Sequence, residues 1–378
     1  MKHILTTIAL LLSALNMSAQ QGYVIKGIAE GAAEGDTVYL CSIKNLYVIT
    51  RLDSTIISNG KYEFRGEQSG CVFRYLIPYH NGKAQSYSSV LLEDAEITVR
   101  SFPSDTKKES EVSSTGLNYK LRQEYKQLGK PWSDELVANF MITRDSTATK
   151  ANQRVAEVKM DSLRNLQRQA ENQFMREHLP AAICDIILGS NYASMSDEEK
   201  QQTLKLFSEK LPDGANYRQL AAEAEILAPV AVGKKFTDFT MQNPDGKDIK
   251  VSDIVAKNKY TLIDFWASWC GPCRTEMPYV LETYDKYHSQ GFEVVGVSLD
   301  NKHEAWIKAI EELALPWPQM SDLKGWQCEG AAIYKVRAIP ANILVDQQGI
   351  IRARDLRGLK LTQKINELLM QDGGVVQK

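Results

Sequence analysis

The chain has 378 residues, of which 43% are hydrophobic and 24% are charged, and its formal net charge is -2. This length and ordinary composition predict a globular protein of two or three domains. The near balance of charges argues against a nucleic-acid-binding protein, because no basic surplus is left to face phosphates.

The first residues have the pattern of an export signal. A short basic start precedes an apolar run from Ile4 to Leu15, and small residues follow near Ala19. The run is shorter than the roughly 18 apolar residues that a membrane-spanning helix needs. We predict a signal peptide over residues 1–19, an exported protein and no stable membrane span after cleavage. Retention of the segment, which would keep the protein membrane-associated, is the alternative.

Residues 22–100 have the pattern of β-strands. Short runs rich in Val, Ile, Tyr and Thr, such as "YVIKGIA" and "EITVR", are separated by Gly, Asn and Asp. The pair Asn59 and Gly60 in "SNGKYEF" predicts a hairpin turn. We predict an all-β N-terminal domain over residues 22–100, followed by a polar linker, "PSDTKKESEVSSTG".

The apolar pattern over residues 117–228 changes to a helical period. The run "ANQRVAEVKMDSLRNLQRQAENQFMREHL" has no Gly or Pro before its end. Ser196 and Glu199 have the spacing of a capping box at a helix start. We find no catalytic signature here and predict a helical region that acts as a spacer or packing module.

Predicted strands and helices alternate over residues 230–378. The buried-strand patterns "YTLIDFWA" and "FEVVGVSLD" are joined through a helical segment, "CRTEMPYVLETYDKYHSQG". Such a unit predicts two parallel strands. The segment "ANILVDQQGIIRARDLRG" predicts a hairpin, which adds antiparallel strands. The C-terminal domain is therefore predicted to be α/β, with a mixed sheet flanked by helices.

Cys270 and Cys273 lie where the first of these strands meets the helix that follows it. At a helix start, free backbone N–H groups and the helix dipole favour a thiolate, so the pKa of Cys270 is expected to fall. Cys270 is the predicted nucleophile of disulfide exchange, and Cys273 is the predicted resolving thiol. Gly271 is expected to allow a tight turn, and Pro272 suits a helix start because it has no N–H.

Two other interpretations of the cysteine pair are weaker. A zinc site would need two more ligands at short spacing, but Cys328 stands alone and neither His288 nor His303 is part of a pair. A purely structural disulfide would close too small a loop to add much stability. We therefore predict no metal and no cofactor beyond the redox-active disulfide Cys270–Cys273.

Asp264 lies in the middle of the apolar strand, six residues before Cys270. Burial is expected to raise its pKa. It is either a hydrogen-bonded core aspartate or a proton acceptor for Cys273, and the adjacent cysteines favour the second role. Pro340 opens a later strand, where proline removes a ladder hydrogen bond. On the sequence alone, its peptide bond is expected to be trans.

The segment "FWASWCGPC", the strand–helix–strand unit and "AIP" before a terminal hairpin and helix resemble the thioredoxin superfamily. The resemblance covers about residues 230–370. The sequence "WCGPC" equals the thioredoxin active-site sequence, so Trp269 joins the candidate site.

This resemblance implies roles for individual residues. Cys270 and Cys273 match the attacking and resolving thiols, and Asp264 matches the buried base. Pro340 matches a proline that is cis and lies against the disulfide. The residue before it, Ile339, matches one that offers backbone hydrogen bonds to the partner chain.

The extra hairpin before the first buried strand and the segment "CRTEMP" are more similar to exported TlpA/ResA-type thiol–disulfide oxidoreductases. Within that segment, Glu276 matches an acidic residue near the active site of some members. Residues 22–100, with "GDTVYL" and "GKYEFRGE", resemble a β-rich domain of unknown function that often precedes such modules in exported proteins of Gram-negative bacteria. Gly296 departs from the thioredoxin pattern, which commonly has a lysine near the buried aspartate.

These features predict a periplasmic thiol–disulfide oxidoreductase that exchanges disulfides with partner proteins. The Gly-Pro dipeptide, as in thioredoxin, favours a reductant. The expected partners are protein thiols and disulfides, with cytochrome c maturation factors or a membrane electron donor as candidates, and no nucleic acid.

Two other functions are alternatives. A thiol peroxidase of the peroxiredoxin type usually has a proline and a threonine before its cysteine, whereas Ser268 and Trp269 stand there in this chain. An exported binding protein without enzymatic activity would capture a ligand through the β-rich domain.

Four further cysteines lie outside the motif. Cys41 and Cys71 could pair, although burial as unpaired small residues is the favoured interpretation. No role is predicted for Cys184. Cys328 lies between the second buried strand and Pro340, so it is a candidate to approach the active site.

Overall fold

The computed structural model describes residues 22–44 and 48–373, so the predicted signal peptide lies outside the described residues. The chain divides into two compact units between Tyr217 and Arg218, inside a helix. The predicted β-rich N-terminal region, helical middle region and α/β C-terminal region are all confirmed. Within the described ranges, no helix combines the length and the hydropathy needed to cross a bilayer.

The β-rich region of the first unit consists of two sheets. Its strands in chain order are β1 Tyr23–Ala29, β2 Thr37–Lys44, β3 Val48–Ile56, β4 Lys61–Gly66, β5 Val72–His80, β6 Lys83–Ala84, β7 Ser88–Leu92, β8 Glu96–Ser101 and β9 Glu111–Ser114. One sheet has the order β4-β1-β8-β9, and the other has the order β3-β2-β5-β6, with β7 also paired to β5. Ile25, Leu76 and Ile97 from the two sheets lie in one buried cluster, because alternate residues of a strand point to the same face.

The turn predicted at Asn59 and Gly60 is present, but the predicted hairpin is wrong. Both residues have positive φ, 52° and 71°, as a two-residue turn of this kind requires. Beyond a single bridge between Ser58 and Lys61, however, β3 and β4 separate into different sheets. The turn therefore carries the chain from one sheet to the other.

The predicted linker after residue 100 contains a strand. Strand β9 pairs antiparallel with β8 and completes the first sheet, so the linker prediction is wrong for this part. Val112 explains the difference, since it packs against the buried cluster while the polar residues on either side of it remain exposed.

The middle region is helical. Its helices are α1 Leu117–Leu128, α2 Lys130–Arg144, α3 Lys150–His178, α4 Ile183–Asn191, α5 Asp197–Lys210 and α6 Ala215–Leu227. The predicted capping box begins α5, where the Ser196 hydroxyl accepts a hydrogen bond from the Glu199 N–H (3.2 Å) and the Glu199 carboxylate accepts one from the Ser196 N–H (2.7 Å). These bonds satisfy backbone donors that a helix start leaves free.

The second unit contains a seven-stranded mixed sheet. Its strands are β10 Thr240–Gln242, β11 Asp248–Lys250, β12 Tyr260–Trp266, β13 Phe292–Ser298, β14 Gln319–Ser321, β15 Ala341–Asp346 and β16 Ile351–Arg354. Its helices after α6 are α7 Val251–Val255, α8 Gly271–Tyr287, α9 His303–Glu312, α10 Glu329–Ile333 and α11 Leu359–Gly373. The sheet order is β11-β10-β14-β13-β12-β15-β16. Every residue of β12 is buried, with β13 parallel on one side and β15 antiparallel on the other, as the sequence patterns predicted.

Gly27→Ala is expected to destabilise the first unit. Gly27 on β1 lies opposite Tyr62 on β4, and the buried tyrosine ring covers the position that a Cβ on Gly27 would take. Over-packing of this kind costs roughly 1–3 kcal/mol. We expect faster hydrogen exchange in β1 and β4, measured by mass spectrometry on the full chain.

The matched control is Lys26→Ala, at the exposed neighbouring position of β1. An exposed substitution of this kind usually changes stability by less than about 0.5 kcal/mol. Equal exchange rates in the two variants would contradict the role of the tyrosine ring.

Candidate active site

The loop that leads from β12 to the cysteine pair is fixed by a buried aspartate. Asp300, just after β13, accepts hydrogen bonds from the backbone N–H of Ser268 (2.9 Å) and from its hydroxyl (2.5 Å). The hydroxyl of Ser298 donates a further bond to Asp300 (2.8 Å). Asp300 was not predicted from the sequence, although a carboxylate just after a buried strand is a usable signal. These bonds hold the backbone just before Trp269 and Cys270.

Cys270 is the N-cap residue of α8. Its Sγ accepts a hydrogen bond from the backbone N–H of Cys273 (3.1 Å), and the two cysteines form a disulfide. Cys270 retains 5% of its surface, whereas Cys273 is fully buried. A partner molecule can therefore reach Cys270 but not Cys273.

Gly271 and Pro272 form the first turn of α8. Pro272 fits there as predicted, because an N–H at this position would lack a partner within the helix. The expected role of Gly271 in a tight turn is wrong. Its φ is not in the left-handed region, and a Cβ at this position would have no heavy atom within 4 Å. The chain turns instead at Ser268 and Trp269, where the N–H of Cys270 donates a hydrogen bond to the carbonyl oxygen of Ala267 (3.1 Å).

The segment before β15 lies against the disulfide. The peptide bond between Ile339 and Pro340 is cis, which differs from the trans bond expected on the sequence alone and agrees with the one that the resemblance implied. The carbonyl oxygen of Ile339 lies 3.7 Å from the Sγ of Cys270. The guanidinium of Arg357 donates a hydrogen bond to the carbonyl oxygen of Pro340 and so holds this segment from the other side.

Asp264, Glu276 and Arg357 form a charged cluster in the second unit. Burial raises the pKa of Asp264 to about 7, against an opposing effect of the Arg357 charge and with a further increase from Glu276. Burial also raises the pKa of Glu276, which accepts a hydrogen bond from the backbone N–H of Gly358. The raised pKa of Asp264 was predicted from the sequence and is confirmed. Arg357 was not predicted, because it has no recognisable motif around it.

Gly296 stands where the thioredoxin pattern commonly has a lysine, and another side chain occupies the space beside it. Gly296 is the neighbour of Asp264 in the parallel register of β12 and β13. A Cβ on Gly296 would meet the side chain of Gln319, whose Oε1 accepts a hydrogen bond from Nε1 of Trp266 (3.1 Å). An amide therefore fills this space, and Arg357 supplies the positive charge that acts on Asp264.

Trp269 is one of two exposed tryptophans at the site. Its side chain is 53% exposed, and that of Trp326, from the segment between β14 and α10, is 52% exposed. The ring centroids are 6.2 Å apart and the rings are tilted by 53°. Trp326 was not selected from the sequence, because its neighbours carry no motif.

The four remaining cysteines are free thiols in the structure, so Cys41 and Cys71 do not pair. Burial raises the pKa of all four, to about 11 for Cys184 and Cys328 and to about 12 for Cys71. Cys328 lies in the same buried apolar cluster as the disulfide. Over residues 22–44 and 48–373, no group of three or more His, Cys, Asp or Glu side chains could hold a metal ion.

Two family profiles match the chain. The AhpC/TSA family matches residues 232–354, which include the cysteine pair, and a domain of unknown function (DUF4369) matches residues 23–121. The second match identifies a family for the N-terminal strands but no activity.

The chain is also similar to curated proteins named thiol-disulfide oxidoreductase ResA. The protein of Bacillus thuringiensis subsp. konkukian (strain 97-27) is 30% identical over 138 residues, which cover 36% of this chain and 76% of the relative. The protein of Bacillus anthracis is 33% identical over 118 residues, which cover 31% of this chain and 65% of the relative. Among solved structures, the thioredoxin domain of a thiol-disulfide oxidoreductase from Bacteroides vulgatus is 36% identical and covers 37% of this chain and 98% of that one, with a TM-score of 0.35.

Asp264 is expected to make stability fall as the pH rises. Its pKa is about 7 in the fold against an ordinary value of 3.8, so the folded state binds more protons between these values. The resulting stabilisation is complete below about pH 4 and is lost as the pH rises through about 7, with a size on the order of 4 kcal/mol. In Asp264→Asn we expect this pH dependence to disappear and the free energy of unfolding at about pH 8 to exceed that of the wild type.

The measurement is urea unfolding of the oxidised protein, followed by tryptophan fluorescence. Five of the six tryptophans lie in the second unit: Trp266, Trp269, Trp306, Trp317 and Trp326. Asp285→Asn, at an exposed position of α8, is the control and should retain the wild-type slope. An Asp264→Asn protein with that same slope would contradict the assignment.

Proposed function

Because the chain belongs to the ResA-like thiol–disulfide oxidoreductases and its residues 232–354 match the AhpC/TSA family, we propose that it exchanges disulfides with partner proteins in the periplasm through Cys270 and Cys273. The observation that carries this proposal is the disulfide at the N-terminus of α8, in which Cys270 keeps a small exposed surface and Cys273 keeps none. This arrangement separates a sulfur that meets the partner from one that completes the reaction.

In the reduced protein, the thiolate of Cys270 attacks one sulfur of a partner disulfide. A new S–S bond joins Cys270 to the partner, and the partner's other sulfur leaves as a thiolate that takes up a proton. The N–H of Cys273 and the N-terminus of α8 stabilise the negative charge on Cys270 before the attack.

The second step releases the partner. Cys273 loses its proton and attacks the sulfur of Cys270, which breaks the mixed disulfide and frees the partner as a dithiol. Two electrons have then passed from the cysteine pair to the partner. Asp264 is the proposed proton acceptor for Cys273, since a pKa of about 7 lets it take up and release a proton near neutral pH.

We further propose that the protein is an exported reductant. Export is supported by the signal pattern over residues 1–19, and the reducing direction is supported by the Gly-Pro dipeptide between the cysteines. The proposed partners are protein thiols and disulfides, and cytochrome c maturation factors and a membrane electron donor are specific candidates.

Cys270→Ser is expected to lower the rate of insulin reduction by about a hundredfold or more, because the attacking thiolate is lost. Cys273→Ser is expected to accumulate a mixed disulfide with its partner, visible by non-reducing electrophoresis and mass spectrometry. Cys328→Ala is the control, since this buried thiol lies outside the motif.

Two outcomes would contradict disulfide exchange. A wild-type protein without insulin turnover would favour a non-enzymatic binding protein. Peroxide consumption that depends on Cys270 and greatly exceeds disulfide reduction would favour a thiol peroxidase.

The reductant proposal predicts a redox potential nearer to about -270 mV, the value of thioredoxin, than to about -120 mV, the value of DsbA. The potential is measured by equilibrating the protein with glutathione buffers and counting free thiols by alkylation and mass spectrometry. A value near the oxidising end would overturn the reducing direction and leave the exchange reaction in place.

A further inference from the structure

The second unit leaves few large apolar side chains in water. Among its described residues, those with substantial exposure are Ile226, Trp269, Trp326 and Met370. Two of the four are tryptophans in contact with each other, and one of these directly precedes Cys270. Paired exposed aromatic rings of this kind are typical of binding surfaces rather than of ordinary protein surface.

The backbone around Trp326 is held in place by its own hydrogen bonds. Trp326 lies in a single 3₁₀ turn, Gly325–Gln327, which begins with a left-handed residue, Gly325 (φ 59°). Asp322 accepts hydrogen bonds from the backbone N–H groups on both sides of the turn, at Lys324 (3.1 Å) and Glu329 (3.0 Å). The turn is therefore ordered before any partner binds, which lowers the entropic cost of binding.

The two tryptophans follow two strands that lie on either side of β13. Trp269 follows β12 and the turn with Trp326 follows β14, and both strands run parallel to β13. The Asp300 carboxylate after β13 fixes the backbone before Trp269. Strands β13 and β14 are parallel neighbours, with Ser298 opposite Ser321, and the Ser321 hydroxyl donates a hydrogen bond to the Ser298 carbonyl (3.0 Å). Both indoles thus extend from the same edge of the sheet as Cys270.

We propose that Trp269 and Trp326 form a binding surface for an aromatic or long aliphatic side chain of the partner polypeptide, close to its reacting cysteine. This inference rests on the proposed function, because it concerns the substrate of the same disulfide. The ring separation of 6.2 Å and the tilt of 53° leave indole surface accessible. A third apolar group that packs there would remove its own surface and that of both indoles from water.

The test uses short peptides that carry one cysteine as a mixed disulfide with glutathione. The residue next to the cysteine is Phe, Leu, Arg or Gly, and the reduced full-length protein is the reactant. The exchange yields the free peptide, free glutathione and the Cys270–Cys273 disulfide. For the wild type we expect a KM about tenfold lower for the Phe and Leu peptides than for the Gly peptide, with similar kcat.

The decisive quantity is the ratio of kcat/KM for the Phe peptide to that for the Gly peptide in each variant. We expect Trp326→Ala to bring this ratio close to one and Trp326→Phe to retain most of it. Met370→Ala removes another exposed apolar side chain of the same unit, one that is more exposed than Trp326, and should keep the wild-type ratio.

Three results would overturn the inference while leaving the proposed function intact. The first is an unchanged ratio in Trp326→Ala. The second is a preference for the Arg peptide over the Phe and Leu peptides, which would show that the surface selects a planar cation instead. The third is a shifted redox equilibrium with glutathione in Trp326→Ala, which would assign this residue a structural effect on the disulfide.

Failure of the proposed function has a different signature. In that case the reduced wild-type protein would not react with any of the peptides or with oxidised glutathione. The ratio would then be undefined for every variant, including Met370→Ala, and both the function and the inference would be rejected.

Discussion

The chemistry of this chain depends on a sulfur atom in a position where most helices have an oxygen. Helix N-caps are usually Ser, Thr, Asp or Asn, whose side chains accept a hydrogen bond from a free N–H of the first turn. Here Cys270 takes that place in α8, and its Sγ accepts the bond from Cys273. The same contact completes the helix start and orients the cysteine pair. The cysteine pair follows β12, which is buried along its whole length and paired with a strand on each side.

The charges in the same unit follow from a second constraint. A carboxylate in the middle of a buried strand loses its water, and this loss is what raises the pKa of Asp264. A positive charge must limit this rise in pKa if Asp264 is to titrate near neutral pH. Arg357 supplies that charge and also holds the carbonyl of Pro340. Since a guanidinium stays protonated at all physiological pH values, its effect on Asp264 does not change with pH.

Local sequence patterns predicted much of this architecture. The buried strands, the α8 start and the cysteine pair depend on short-range features such as apolar runs and helix-terminal residues. Tertiary pairing could not be predicted in the same way. The sequence of strand β9 has the pattern of a polar linker, and the strand forms because Val112 packs against the buried cluster. The Asn59–Gly60 turn does not reveal that its two flanking strands join different sheets.

The residues of the site also divide into those that local sequence patterns predicted and those that only the fold brings together. Cys270, Cys273 and Asp264 were found because each stands out against its neighbours along the chain. Arg357 and Trp326 do not, since each reaches the site only through the fold, from a segment far along the sequence. Gly271 is the opposite case. It is conspicuous in the motif, yet the backbone makes no demand for glycine there.

The raised pKa values of the four free cysteines affect which sulfurs of the chain can take part in disulfide exchange. At neutral pH these sulfurs are protonated, and Cys41, Cys184 and Cys328 are also enclosed by the fold. A protonated, enclosed thiol is a poor competitor in thiol–disulfide exchange. The burial of these thiols therefore protects the fold against disulfide exchange between its free cysteines and the Cys270–Cys273 disulfide.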